Sequence, residues 1–167
     1  PTVQILMEDG TLNGSPMPKL SNQQIVEMYK TMVLCKIFDD ITVKLQRQGR
    51  IGPYVTIRGQ EASQVASSFA MEDSDWMFPS YRESAAMIAR KIPLKNIYTY
   101  WMGDERYAGD AANGNNFPVA IPVSTQIPHA AGVAFGAKIK GDRVASLAFF
   151  GDGATSRGDF HEAMNFA

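Results

Sequence analysis

The chain has 167 residues, a net charge of −1 with both signs mixed along its length, and a single cysteine. This length fits one ordinary domain with its own core, and the balanced charge favours neither nucleic acid nor a membrane surface as a partner. One cysteine excludes an internal disulfide framework and fits a reducing compartment, and no apolar run reaches the length of a membrane span.

The amino-terminal part divides into an arm and a long helix. Residues 1–20 mix Gly, Pro and Asn with short apolar pieces, so we expect an extended arm that lies on another surface. Ser21-Asn-Gln-Gln24 matches a capping box, and apolar residues then recur every three or four positions from Ile25 to Leu45. This pattern predicts an amphipathic helix that ends at Gly49, with Cys35 as a buried small side chain.

A second helix and a short strand are predicted next. The segment Gly59-Gln-Glu-Ala62 opens a helix that runs to about Met71, where Glu61 interacts favourably with the helix dipole. Trp76-Met-Phe78 reads as a strand that leads into Pro79-Ser-Tyr-Arg-Glu83. The first and last residues of Ser80–Glu83 match a second capping box, which predicts a helix with two large polar side chains in its first turn.

Those two side chains are Tyr81 and Arg82, and a helix that follows a strand directs its first turn toward the ligand edge of a sheet. The guanidinium of Arg82 suits a fork-shaped contact to phosphate or carboxylate. The alternative is an exposed, solvated arginine.

Two further helices flank a polar loop. Pro93 fits the first turn of a helix that ends at Gly103, and residues 103–118 then lose all periodicity, as functional or mobile loops do. Pro128 fits the first turn of the next helix, which ends at Gly141. Gly132 and Gly136 lie one turn apart on that helix, which predicts close helix approach, for ligand access or for packing between subunits.

The carboxyl-terminal segment carries the strongest signal. The apolar run Val144–Phe150 reads as a strand buried on both faces in a parallel sheet, and Gly151-Asp152-Gly153 follows it directly. An acid between two glycines at the end of such a strand suits Mg²⁺ that bridges to phosphates, whereas the alternative is a simple tight turn. A helix is predicted to begin within 156–159, and its amides would also face an anion.

These elements together predict an α/β fold with a parallel sheet flanked by helices. The last predicted helix, at 160–167, carries no stop signal. We therefore expect the chain to be part of a longer protein, with 1–20 as the arm and 21–167 as a partial α/β domain.

Four motifs in this order resemble the alpha subunit of thiamine-diphosphate-dependent 2-oxoacid dehydrogenase E1 components. They are Gly59-Gln-Glu-Ala62, Phe78-Pro-Ser-Tyr-Arg-Glu83, Val123-Ser-Thr-Gln-Ile-Pro128 and Phe149-Phe-Gly-Asp-Gly-Ala-Thr-Ser-Arg-Gly158. The resemblance runs from Ser21 to Ala167 and implies the amino-terminal half of the thiamine-diphosphate-binding fold.

The resemblance also implies a cofactor site. Asp152 matches the acid that binds Mg²⁺, and Gly151, Gly153 and Ala154 match the lining of the diphosphate. Tyr81 and Arg82 match a pair that reaches the diphosphate and the substrate side of the thiazolium. Ile121 and Val123 match positions that meet the aminopyrimidine. Thr125 and Gln126 match positions that hold a monovalent cation in some members of the family.

No residue of this chain is expected to be catalytic, because the glutamate that activates the aminopyrimidine lies on the beta subunit of similar enzymes. The paired asparagine that closes the family motif lies beyond Ala167. Many relatives carry a histidine in the loop before the Thr-Gln-Ile-Pro segment, whereas residues 107–117 contain none. His129 and His161 each fall inside a predicted helix and are not obvious substitutes.

The implied function is oxidative decarboxylation of a 2-oxoacid, with branched-chain 2-oxoacids favoured, and acyl transfer to the lipoyl group of an E2 acyltransferase. The implied partner is an E1 beta subunit in an α2β2 heterotetramer, in the cytoplasm or in the mitochondrial matrix of a eukaryote. Pyruvate and acetoin dehydrogenase alpha subunits are alternatives. A piece that keeps only subunit-assembly surfaces is a further alternative, from a different class of function.

Overall fold

The structure is a computed structural model that describes residues 4–104, 106 and 114–167. Within these ranges the chain forms six α-helices and two β-strands, with a short 3₁₀ helix at Asp152–Ser156. In chain order the elements are α1 (Asn22–Arg47), α2 (Glu61–Phe69), β1 (Trp76–Phe78), α3 (Ser84–Ala89), α4 (Leu94–Trp101), α5 (Gln126–Lys140), β2 (Ser146–Ala148) and α6 (Gly158–Phe166).

Helix α1 begins as its sequence predicts. The Ser21 hydroxyl accepts a hydrogen bond from the Gln24 amide, and the Gln24 side chain accepts one from the Ser21 amide, which completes the capping box. At the other end Gly49 takes a left-handed φ of 67° just past the helix. The predicted apolar face is wider than the buried one, since Ile25 and Tyr29 are exposed.

The main core lies where α1, α2, α3 and α4 meet β1. Its fully or nearly fully buried side chains are Cys35, Phe38, Tyr54, Ile57, Val65, Met77, Ala85, Ala86, Met87, Ile88, Ile92 and Ile97. Cys35 is buried as predicted. A smaller cluster of Ile127, Ala154 and Ala163 joins α5 and α6 to the 3₁₀ helix.

The two strands are parallel, with Met77 opposite Leu147 in the register. Single parallel bridges pair Met77 with Asn116 and Ser80 with Ala120 on the other edge of β1, so β1 is the central strand of the described sheet. The carboxyl ends of both strands therefore lie at one edge. This arrangement confirms the predicted α/β fold with a parallel sheet flanked by helices.

Strand β2 differs from its prediction. It covers only Ser146–Ala148 of the apolar run, and its residues are half-buried rather than buried on both faces. The reason is that β1 is its only strand neighbour among the described residues, so its outer edge is uncovered. Phe150 is exposed at the end of the run.

Helix α3 also starts later than predicted. Glu83 precedes it, and Tyr81 and Arg82 lie in the turn before the helix rather than in its first turn. Only half of the capping box forms, because the Ser80 amide donates to the Glu83 carboxylate at 2.7 Å without a return bond. The buried amide of Gln64 caps this helix instead, since its oxygen lies 3.2 Å from the Ala85 amide.

The remaining helices follow their patterns. Pro93 directly precedes α4, Gly141 ends α5 with a φ of 79°, and α6 begins inside the predicted window. A Cβ atom built on Gly132 or Gly136 would meet no described atom within 4 Å, so the predicted close helix approach does not occur in this part of the chain. Most of the predicted loop at 103–118, namely residues 105 and 107–113, lies outside the described residues.

The amino-terminal arm contains a small turn, in which Leu6 and Leu12 form an antiparallel bridge. Both leucines are exposed, as is Met17. Across the described ranges, no helix combines the length and the apolar character needed to cross a membrane.

Candidate functional site

A pocket of about 390 Å³ opens at the carboxyl ends of β1 and β2. The segments that line it are the turn after β1, the turn before α5 and the segment after β2. The lining residues are Gln60, Ser80, Tyr81, Arg82, Glu83, Val123, Ser124, Gln126, Phe150, Gly151, Asp152, Gly153 and Ala154. Parallel strands bring their carboxyl ends to the same sheet edge, which is where open α/β folds bind ligands.

The segment after β2 forms one wall. Gly151 is extended, with a φ of −91° and a ψ of 172°, and the Ala154 amide donates to its carbonyl oxygen at 3.0 Å to begin the 3₁₀ helix. Asp152 is exposed on this wall. A Cβ atom on Gly151 or Gly153 would meet no described atom within 4 Å, so both glycines leave open space beside the pocket.

The turn after β1 carries the cation. Arg82 is half-buried, and its Nη1 donates a 2.7 Å hydrogen bond to the carbonyl oxygen of Thr56. The guanidinium carbon lies 5.9 Å from the centre of the Tyr81 ring. A guanidinium has five N–H donors, so one contact to Thr56 leaves donors for an anion in the pocket.

Two buried residues at the start of α5 complete the pocket. Ser124 is fully buried with a φ of 80°, and its hydroxyl donates to the Ala154 carbonyl oxygen at 3.0 Å. Gln126 is 1% exposed; its Nε2 donates to the Phe149 carbonyl oxygen at 2.6 Å. The Oε1 atom of Gln126 is buried without a hydrogen-bond partner among the described residues.

Not every predicted site residue reaches this pocket. Eight of them, namely Tyr81, Arg82, Val123, Gln126, Gly151, Asp152, Gly153 and Ala154, line it together. Ile121 and Thr125 instead line a neighbouring apolar hollow, which also contains His129. The two residues predicted to hold a monovalent cation are thus divided, with Gln126 in the pocket and Thr125 in the hollow.

Neither histidine lines the pocket. His129 lies on α5 with its ring 5.0 Å from the ring of Phe117, and His161 lies on α6 with Nε2 at 2.9 Å from the Thr155 carbonyl oxygen. Both therefore lie in helices, as their sequence positions predict.

Sequence reasoning missed several lining residues. Ser124 has a left-handed backbone. The local sequence does not predict this conformation, because serine rarely adopts a positive φ. Gln60 and Ser80 carried a usable signal, since both lie inside motifs that were singled out, Gly59-Gln-Glu-Ala62 and Phe78-Pro-Ser-Tyr-Arg-Glu83.

The donors in the pocket fit a phosphate ligand held through a divalent cation. Among the described residues, no three His, Cys, Asp or Glu side chains come together as metal ligands, so Asp152 could hold a cation only with oxygen atoms from elsewhere. Mg²⁺ is commonly bound in this way, by one or two carboxylates together with water and ligand phosphates. The open space beside the two glycines leaves room for such a ligand.

The chain is similar to known proteins over most of its length. The family described as Dehydrogenase E1 component matches residues 29–167. The pyruvate dehydrogenase E1 component subunit alpha of Bacillus cereus is 39% identical over 167 residues, which cover 99% of this chain and 45% of that protein. The proteins of the same name from Staphylococcus epidermidis and Staphylococcus aureus are each 38% identical over 173 residues, with the same coverage. The chain thus spans a little under half the length of these relatives.

Proposed function

The chain belongs to the dehydrogenase E1 component family, and on this basis we propose that it acts in the alpha subunit of a pyruvate dehydrogenase E1 component. The names of its relatives support pyruvate rather than a branched-chain 2-oxoacid as substrate. Pyruvate, an alternative in the sequence analysis, therefore replaces the branched-chain 2-oxoacids that the sequence analysis favoured. The family depends on thiamine diphosphate, and that cofactor is the ligand that we assign to the pocket.

The observation that carries the proposal is that Arg82 and Asp152 line the same pocket. A cation and an exposed carboxylate facing a glycine-lined space suit a diphosphate with its Mg²⁺. When bound, thiamine diphosphate supplies the nucleophilic carbon and the electron sink for loss of carbon dioxide from a 2-oxoacid.

The residues of this chain hold and orient the cofactor. Arg82 would donate to phosphate oxygens, and Asp152 would hold Mg²⁺ without acting as an acid or a base. Gly151 and Gly153 allow the diphosphate to approach the backbone closely. Val123, which is partly exposed in the pocket wall, would pack against the aminopyrimidine, and Ile121 would contribute from the neighbouring hollow.

We further assign a monovalent cation to Gln126 and Thr125. The support is the buried Gln126 Oε1, which has no hydrogen-bond partner among the described residues and could coordinate a cation. Thr125 borders the same turn from the side of the hollow.

The proposed function implies partners. In an α2β2 assembly, an E1 beta subunit would supply the glutamate that activates the aminopyrimidine. A lipoyl-bearing E2 would accept the acyl group. The exposed apolar side chains of the arm at 1–20, such as Leu6 and Met17, suit a segment that lies on a partner rather than on the domain at 21–167. A cytoplasmic or mitochondrial-matrix location accompanies this function.

Calorimetric titration tests the proposal. The full-length protein, alone and then mixed with its beta subunit, is titrated with thiamine diphosphate in the presence of Mg²⁺ or of EDTA. We expect Mg²⁺-dependent binding in the mixture and decarboxylation of pyruvate at a higher kcat/KM than of a branched-chain 2-oxoacid. Absence of binding in the mixture would favour the alternative, a piece that keeps only subunit-assembly surfaces.

A further inference from the structure

A buried carboxylate lies on α1, outside the pocket. Asp39 is 1% exposed and accepts three hydrogen bonds, from the Tyr54 hydroxyl at 2.8 Å, the Thr56 hydroxyl at 2.7 Å and the Ile57 amide at 2.9 Å. All three donors belong to the loop between α1 and α2. Burial, reinforced by the Asp39 contact, raises the pKa of Tyr54, so its phenol remains a donor. The carboxylate thus holds residues 54–57 in one conformation.

The same loop is in contact with the pocket. The carbonyl oxygen of Thr56 accepts the 2.7 Å hydrogen bond from Arg82 Nη1, while the hydroxyl of Thr56 is bound to Asp39. On the opposite side, the Arg82 carbonyl oxygen accepts a 3.2 Å hydrogen bond from the buried Gln64 amide. The backbone of Arg82 is therefore held by Gln64, and its guanidinium is held by a loop that Asp39 fixes.

We propose that Asp39 is a positioning residue for the diphosphate site, which acts through Thr56 to orient the guanidinium of Arg82. This inference rests on the proposed function. Free rotation of an arginine side chain must be lost before its donors can meet an anion, and a preformed contact reduces that entropy cost on binding. A purely structural Asp39 would stabilise the loop without any effect on ligand affinity that depends on Arg82.

A double-mutant cycle on cofactor affinity separates these two roles. Thiamine diphosphate is titrated with Mg²⁺ into the full-length assembly that carries Asp39→Asn, Arg82→Ala, or both. Asparagine keeps the shape of the side chain but loses acceptor capacity. We expect Asp39→Asn to raise the Kd about tenfold when Arg82 is present, as the loss of a hydrogen bond to a charged group does. In the Arg82→Ala background we expect less than about a twofold change, because the group that Asp39 orients is gone.

A second pair of variants avoids any change to the buried acid. Thr56→Val removes one donor to Asp39 at an exposed position, whereas Thr56→Ser retains the hydroxyl. We expect Thr56→Val to raise the Kd and Thr56→Ser to restore it. If Asp39→Asn fails to assemble, the Thr56→Val and Arg82→Ala cycle takes its place. The matched charge control is Asp40→Asn, because Asp40 is a half-buried neighbour that pairs with the exposed Arg58 and should leave the Kd unchanged.

The outcomes are distinct. Equal Kd effects in the two Arg82 backgrounds would overturn the positioning role, even if the melting temperature of the assembly falls. A Kd effect that depends on Arg82, with rescue by Thr56→Ser, supports it. If the wild-type assembly does not bind thiamine diphosphate at all, the proposed function fails rather than the role of Asp39 in the loop.

Discussion

The hydroxyl of Ser124 donates a 3.0 Å hydrogen bond to the carbonyl oxygen of Ala154, and this bond joins the turn before α5 to the segment after β2. Both residues are buried, at 0% and 1% exposure. Ser124 makes the contact from a left-handed backbone with a φ of 80°, a conformation that costs a residue other than glycine about 1–2 kcal/mol. The turn before α5 and the segment after β2, which both line the pocket, are thus joined by a residue under backbone strain.

Substitution of Ser124 should weaken this link. Ser124→Ala removes one of the two hydrogen bonds to the buried Ala154 carbonyl, which keeps the bond from the Arg157 amide, and we expect a loss of about 0.5–1.5 kcal/mol in the free energy of unfolding by urea. Ser124→Gly loses the same hydrogen bond but relieves the strain, so it should be about 1 kcal/mol more stable than the alanine variant. Equal stability of the two variants would contradict the strained backbone.

A methyl group added at Gly151 should leave folding unaffected but weaken the binding of thiamine diphosphate. An added Cβ meets no described atom within 4 Å, and the φ of −91° suits any residue. We expect Gly151→Ala to keep the melting temperature of the ligand-free assembly and to raise the Kd for thiamine diphosphate. Gly52→Ala provides the contrast, because its Cβ would lie 3.0 Å from the Trp101 carbonyl oxygen. That variant should melt earlier with an unchanged Kd.

Arg82 should matter for binding more than for folding. Lysine retains the charge but cannot reproduce the fork, so Arg82→Lys is expected to raise the Kd about tenfold while the melting temperature changes little. Arg90→Lys is the control, since the Arg90 guanidinium donates to the carbonyl oxygens of Glu72 and Asp75 and lies outside the pocket. A lower melting temperature with normal activity per folded molecule for Arg82→Lys would show a structural arginine.

Asp152 should be required for the contribution of Mg²⁺. Because its carboxylate is exposed, Asp152→Asn should fold normally, yet Mg²⁺-dependent binding of thiamine diphosphate should be lost in calorimetry. Asp142→Asn removes the same charge from an exposed position after α5 and should bind as the wild type does. Unchanged cofactor affinity in Asp152→Asn would refute the assignment of this acid.

Cys35 should be protected from thiol reagents. Burial, with a smaller contribution from the charge of Glu61, raises the pKa of its thiol to about 12 from an ordinary 9.0. At pH 8 the folded protein should therefore react slowly with iodoacetamide, and denatured protein quickly, as read by mass spectrometry of the peptide that contains Cys35. Rapid labelling of the native assembly at pH 8 would contradict this environment.

The same shift has a consequence for stability. The folded state holds the Cys35 proton more tightly than the unfolded state, so this contribution is fully present below pH 9.0 and is lost as the pH rises toward about 12. A weaker loss of stability over that range in Cys35→Ala than in the wild type would support the assignment.

Much of the fold follows from local patterns in the sequence. The capping box at Ser21 specifies the start of α1 through atoms three residues apart, and the glycine at Gly141 ends α5 because it adopts positive φ without a Cβ clash. The Gly-Asp-Gly segment after an apolar run likewise marks the pocket wall. Such signals are readable because their physical cause lies within a few residues of chain.

Other features depend on residues that only the tertiary structure brings together. The capping box at Ser80 forms only in part, because Gln64 from α2 caps α3 across 21 residues of sequence. The sequence around Asp39 predicts only an acidic residue in a helix. Its burial depends on three hydrogen-bond donors that lie 15 to 18 residues away. Ser124 has a left-handed backbone, and its hydroxyl donates to the buried carbonyl of Ala154, 30 residues further along the chain. Hydrogen bonds between distant segments are set by packing, and packing is decided by the whole chain rather than by any local stretch of it.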